Sequence, residues 1–223
     1  MKLGSGKSLC VLGMLAAALA VLPGTASAQP GVSDAVWTVH GHGANAAASI
    51  NVLTLNDQRR IDNRIGAYIG ADGRLVLSAP EGLGDPDGSG DNCQLDNAKP
   101  SDTSAPEVSC VAGYIGAIVG NLGRGTDIFD ADPSVNVMIG AVIDGQPRPL
   151  WGGPGRDRLI GGGVADLLDG AAGPDSVIGG AGNDILLGSG GSDKLIGGGG
   201  RDLCRGAGGT DTAKGCEQVR SIP

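Results

Sequence analysis

From Gly152 to Gly215 the apolar positions recur with a period of nine. Leu159, Leu168, Val177, Leu186, Leu195, Cys204 and Ala213 each follow an aspartate by two residues. Those aspartates stand at 157, 166, 175, 184, 193, 202 and 211. A glycine opens every unit at 152, 161, 170, 179, 188, 197 and 206, and Gly215 starts a truncated eighth. Three residue classes held in phase over seven units exclude an irregular Gly-rich linker, and collagen requires a period of three. Each unit reads as a six-residue turn followed by a three-residue strand, with the residue two after Asp pointing into a thin core. Two such half-turns close one coil of 18 residues, so coils stack at about 4.8 Å, the spacing of paired strands.

An alternation between odd and even units supports the 18-residue coil. Directly after Asp, odd units carry Arg158, Ser176, Lys194 and Thr212, whereas even units carry Leu167, Ile185 and Leu203. Three residues after Asp, odd units carry Ile160, Ile178 and Ile196, whereas even units vary through Asp169, Leu187 and Arg205. Two distinct sheets produce this pattern. Neighbouring residues on a strand face opposite sides, so Ile160, Ile178 and Ile196 are expected to stack outward on one sheet. Leu167, Ile185 and Leu203 are expected to do so on the other, leaving apolar ladders open to self-association or a surface partner.

Stacking also places aspartates in two columns. Asp157, Asp175, Asp193 and Asp211 fall on one edge, and Asp166, Asp184 and Asp202 on the other. Unit carboxylate charges about 5 Å apart repel by roughly 3–4 kcal/mol at an effective dielectric near 20. The 22 glycines of residues 152–215 each add about 0.5–1 kcal/mol of ordering entropy relative to Ala. One inward apolar residue in nine does not offset both costs. A hard cation does, because carboxylates and carbonyls are the oxygen ligands calcium takes.

Gly179-Gly180-Ala181-Gly182-Asn183-Asp184-Ile185-Leu186-Leu187 fits the GGxGxDxUx pattern at every fixed position, and the units opening at Gly152 and Gly197 fit its turn. In this the chain resembles the haemolysin-type (RTX) calcium-binding repeat family, over about 65 of its 223 residues. The resemblance implies Ca²⁺ between successive turns on each edge. The implied ligands are the side chains of Asp157, Asp166, Asp175, Asp184, Asp193, Asp202 and Asp211, with turn carbonyls around Gly153, Gly155, Gly162, Gly180, Gly182, Gly198 and Gly200. Pairs 18 apart (157/175, 166/184, 175/193, 184/202 and 193/211) allow up to five ions. Departures stand at Val164, next to Asp166, at Ala171, and in Gly206-Ala207-Gly208-Gly209. A β-branched residue resists positive φ, which singles out the Asp166 turn.

The chain opens as an export signal does. Lys2 and Lys7 precede the apolar run Leu9–Leu22, too short to span a bilayer, and Ala26-Ser27-Ala28 is a small-residue cleavage site. Cys10 falls inside that run. The remaining Cys93, Cys110, Cys204 and Cys216 suit disulfides in an exported protein. Of three pairings, the expected one joins 93 with 110 and 204 with 216, the second capping the thinning end of the roll. A zinc site lacks the usual CxxC spacing. Without Lys2 and Lys7, 14 basic residues stand against 24 acidic ones, a net of −10. That balance disfavours nucleic acid and anionic lipid and favours cations.

Residues 29–150 show no helical period. Ala35–His40, Ala48–Leu55, Ile65–Ile69, Arg74–Ser78, Val108–Val119 and Val135–Ile143 read as strands, with a loop-like stretch over 82–106. Leu122-Gly123-Arg124-Gly125-Thr126-Asp127-Ile128-Phe129 is a degenerate repeat. It favours a less regular solenoid over a separate small sandwich. Three fragments have metal-ligand character: Asp85-Pro86-Asp87-Gly88-Ser89-Gly90 with Asp96 in EF-hand-like spacing, His40-Gly41-His42, and Asp127, Asp130 and Asp132. No HExxH, GxSxG or distinguishable catalytic carboxylate pair occurs.

The expected architecture is all-β. It runs as a signal peptide (1–28), an irregular β domain with a disulfide-stapled loop (29–150), a right-handed parallel β-roll of 18-residue coils (151–217) and a C-terminal tail (218–223). The expected function is that of a secreted, extracellular or cell-surface calcium-binding protein without a membrane span, structural or surface-associated. Alternatives are a hydrolase or lyase acting on the 29–150 surface with the roll as stabiliser, and an adhesin or assembly module.

Overall fold

The computed structural model describes residues 38–42, 50–56, 62–79, 93–96, 107–111, 115–143 and 145–221. All regular elements there are strands: β1 (Thr38–His42), β2 (Ile50–Asn56), β3 (Arg64–Ile69), β4 (Arg74–Ser78), β5 (Cys93–Asp96), β6 (Glu107–Val111), β7 (Ile115–Asn121), β8 (Ile128–Ala131), β9 (Met138–Ile139) and β10 (Ala141–Ile143). They continue through β11 (Gln146–Arg148), β12 (Leu150–Pro154), β13 (Arg158–Ile160), β14 (Leu167–Ala172), β15 (Ser176–Ala181), β16 (Ile185–Gly190), β17 (Lys194–Gly199), β18 (Leu203–Gly208), β19 (Thr212–Lys214) and β20 (Gln218–Arg220).

Two sheets face each other. The odd units form β13, β15, β17 and β19, and the even units form β14, β16 and β18, all parallel within their sheets. Leu159 pairs with Val177 and Val177 with Leu195, while Leu168 pairs with Leu186 and Leu186 with Cys204. The repeat distance is thus 18. Leu159, Leu168, Val177, Leu186, Leu195 and Cys204 are all fully buried between the sheets. One file of side chains from each sheet fills the space, which is why nothing larger than Leu is needed.

The same sheets run through the preceding half without a break. β12 pairs with β7 and β7 with β2, while β13 pairs with β8 and β8 with β3, all parallel. One core extends from Leu53 through Phe129 and Leu150 to Cys204. The degenerate repeat is therefore a coil in its own right, with Phe129 at the inward position opposite Leu159. At the far end the pattern changes to antiparallel, in the order β3, β4, β6, β5. Cys110 is disulfide-bonded, and β5 sets Cys93 directly opposite it.

Three sequence expectations change. The segment expected as a tail from residue 218 is partly strand: β20 pairs with β18 and lengthens the roll by one rung. The single strand expected over Val108–Val119 divides into β6 and β7, which lie in different sheets. The even-sheet ladder is shorter than expected. Leu167, Ile185 and Leu203 are rung neighbours, but Leu167 is buried. It shares a cleft with Met138, Ala141 and Val142 of the β9–β10 segment, which folds over this face. Ile160, Ile178 and Ile196 do stack in register on the odd sheet, each half-buried.

Candidate metal centre

Each repeat aspartate sits where a turn meets its strand, so its backbone belongs to the ladder and its side chain to the turn. The carboxylates are buried, between 1 and 5 % exposed. One oxygen, Oδ1, ties coils together. The N–H groups of Asp157, Asp175 and Asp193 donate to Oδ1 of Asp175, Asp193 and Asp211 at 2.8–2.9 Å. On the other edge the N–H of Asp166 donates to Asp184, and that of Asp184 to Asp202, both at 2.9 Å. The pairing of aspartates 18 apart is thus built into the backbone network.

The column on the odd edge runs beyond the repeats. The N–H of Asp127 donates to Oδ1 of Asp157 at 2.8 Å, and Asp127 in turn accepts from the backbone and side-chain nitrogens of Asn63. Asp127 therefore does not act with Asp130 and Asp132, the grouping its sequence neighbourhood suggests. Those two are exposed, and Asp132 accepts from the N–H of Ser134. Periodicity missed Asn63 altogether, because the long insertion between β3 and β8 hides its register.

The second oxygen, Oδ2, turns into the loop of its own repeat. In Asp157, Asp175, Asp184, Asp193, Asp202 and Asp211 it is buried and receives no hydrogen bond. The first glycine of each turn makes room for it: a Cβ on Gly170 or Gly188 would overlap Oδ2 of Asp175 or Asp193. The fourth position is packed as tightly. A Cβ on Gly173 would collide with the carbonyl oxygen of Gly155, and one on Gly200 with that of Gly182. The carbonyls of Gly162 and Gly180 likewise face Gly180 and Gly198 in the coils that follow. Gly153, Gly180, Gly182, Gly198 and Gly200 hold φ between 104° and 130°. At the second position of odd units the chain accepts Ala171, Ser189 and Ala207 at φ 68–84°, a left-handed conformation that costs an L-residue roughly 1–2 kcal/mol.

Burial shapes the ionisation of these carboxyls. Removal from water pushes Asp157 and Asp184 up to about 6 and Asp175 up to about 7, and raises Asp193 in the same direction. A buried carboxylate oxygen with no donor is costly when ionised. The six Oδ2 atoms are hard oxygen donors left without a hydrogen-bond partner, the chemistry that a hard cation takes. No group of three or more His, Cys, Asp and Glu arranged to hold a metal ion by side chains alone occurs among the described residues.

Asp166 differs from the other six. Its Oδ1 accepts from the N–H of Ile139 at 2.7 Å, and its Oδ2 accepts from the N–H of Gly162 at 2.7 Å. Val164 occupies the fourth position of this turn, and neither it nor Gly162 takes a positive φ. The turn is drawn instead onto the preceding segment, where the N–H of Gly163 donates to the carbonyl of Val135. Backbone N–H groups thus satisfy the carboxylate that the sequence pattern would assign to a cation.

Of the other motifs, His40 and His42 lie on β1, in backbone register with Val52 and Ile50 of β2. The EF-hand-like fragment lies outside the described residues up to Gly90, and Asp96 ends β5. No described helix is long and apolar enough to cross a membrane.

Residues 150–177, 160–195 and 178–213 match the family model of the RTX calcium-binding nonapeptide repeat, in four copies. No curated protein and no solved structure matches the chain. Period, register and buried aspartate columns agree with that match: residues 150–213 are a run of RTX calcium-binding nonapeptide repeats.

Proposed function

We propose that the chain is an exported protein whose Gly/Asp coils fold around calcium, and that the loaded roll serves a structural or surface-associated role. The observation that carries this reading is the set of six buried Oδ2 atoms without a donor. In the ionised, metal-free state they leave negative charge in two files through the interior. Calcium would be held at Asp157, Asp175, Asp193 and Asp211 on one edge and at Asp184 and Asp202 on the other, with carbonyls of the Gly-rich turns completing each shell. Export is supported by the Cys204–Cys216 disulfide and by the disulfide at Cys110, since such bonds persist in oxidising compartments.

Folding and metal binding should then be one event, with an affinity on the order of 10⁻⁴–10⁻³ M, suited to an extracellular module. Calorimetric calcium titration of the full chain, with far-UV circular dichroism in EDTA and in excess calcium, tests this. Heat of binding accompanied by a gain of β signal is the expected result. An unchanged β signal in EDTA together with no binding heat would sink the reading.

A further inference from the structure

On the outer face of the odd sheet a groove of about 370 Å³ runs beside the aspartate column. Its shape follows from the rungs. Pro174 and Ser176 are short and half-buried, while the rungs on either side carry Arg156 with Arg158, and Ser192 with Lys194, all four exposed. Arg158, Ser176 and Lys194 are consecutive partners in the ladder. At about 4.8 Å per rung the two cations start roughly 9.6 Å apart, within reach of each other's tips above the Ser176 hydroxyl. Arg156 lines the same groove. None of the three cations makes an ion pair with a described residue.

The row continues through Ile128 to Arg64. There Asp62, which accepts from the N–H of Thr126, and exposed Asp130 offset the charge. Positive charge is therefore concentrated over Ser176, on a chain that is otherwise strongly acidic.

The geometry points to an oxyanion site: Arg158 and Lys194 bracket one sulfate or carboxylate group over Ser176, with Arg156 at its side, once the column behind them is filled with calcium. The calcium condition rests on the function proposed above. Asp157 and Asp175 line the inner wall of this groove, so the empty column sets negative charge against an incoming anion and the loaded column reverses that field. The anion is either free or a group borne on an acidic polymer, and the chemistry recognised is the same.

The test uses the full chain in saturating calcium, with calcium occupancy measured by calorimetry in the same sample. Equilibrium dialysis against radiolabelled inorganic sulfate should show one saturable site. Arg158→Gln and Lys194→Gln should each weaken it by about five-fold, with unchanged circular dichroism, whereas Lys214→Gln, in the neighbouring row, should not. Dextran sulfate that binds much more tightly per sulfate group than the free ion identifies a polymer-borne ligand, and equal affinity identifies a small one. No saturable sulfate binding while calcium is bound, or variants that bind like the wild type, overturn the site and leave the calcium reading standing. Sulfate binding undiminished in a folded, EDTA-treated chain overturns the calcium condition. Absence of calcium binding in the calorimeter overturns the proposed function itself.

Discussion

The N–H of Asp202 donates to Oε2 of Glu217 at 2.6 Å, the contact that each earlier even-edge coil makes to the aspartate 18 residues on. Here the separation is 15, and Leu203 pairs with Gln218. The last coil is three residues short, and the shifted register sets Glu217 at the rung position that an aspartate holds in the earlier coils. Arg220, where an uninterrupted period would place the next aspartate, lies in the exposed last strand.

Glu217 is thus the terminal rung of the even column. Glu217→Ala should cost about 1 kcal/mol through loss of one partly exposed charge-assisted hydrogen bond. The loss should be local. Hydrogen exchange should accelerate at the amides of Asp202–Arg205 and remain unchanged near Leu159. Uniform acceleration across the roll would contradict a terminal role.

Asp184→Asn and Asp166→Asn should behave differently although their positions in the repeat are the same. Asp184 carries a buried Oδ2 with no donor, and its substitution should lower the calcium stoichiometry measured by calorimetry. Asp166 accepts from Ile139 and Gly162. Its substitution should leave the stoichiometry unchanged and destabilise the chain by about 1–3 kcal/mol, as expected when a buried acceptor is degraded. Equal stoichiometric losses would show that Asp166 binds a cation after all.

Acidity should act in opposite directions with and without calcium. Asp157, Asp175 and Asp184 rise from 3.8 to about 6, 7 and 6 through burial. The metal-free folded chain then binds more protons than the unfolded one between about pH 4 and 7, and it loses stability as pH rises through that window. Calcium requires the ionised carboxylates, so the loaded chain should lose stability as pH falls through the same window. In EDTA the far-UV β signal should therefore grow as pH falls through the window, whereas in calcium the melting temperature should drop. A change in the same direction in both media would refute the linkage.

Cys204 and Cys216 are joined, with Cα atoms 6.0 Å apart. The bond ties the inward position of the sixth unit to the start of the shortened coil, where Ala213 is the thinnest residue of the core file. Cys204→Ala with Cys216→Ala should lower stability by about 2–3 kcal/mol through the loss of a loop closure of this size. Denaturant midpoints of the two proteins in calcium measure it. Equal midpoints would mean that the last coil contributes nothing to the cooperative unit.

The nine-residue period, the 18-residue coil, the inward file from Leu159 to Cys204 and the two aspartate columns were all legible in the sequence. Each depends on local repetition: identical turns impose identical geometry, and a parallel ladder copies the register of one coil onto the next. The disulfide that ends the roll was legible for the same reason, because Cys204 interrupts an otherwise aliphatic file. Tertiary structure decided what repetition does not encode. Asn63 joins the odd column across a separation of 64 residues, Glu217 replaces an aspartate from a different phase, and the β9–β10 segment covers Leu167. Asp166 keeps its place in the pattern, yet its carboxylate is satisfied by Gly162 and Ile139. Which partner fills a buried carboxylate depends on where distant backbone N–H groups lie, and that is set by packing between coils and not by the residues within one.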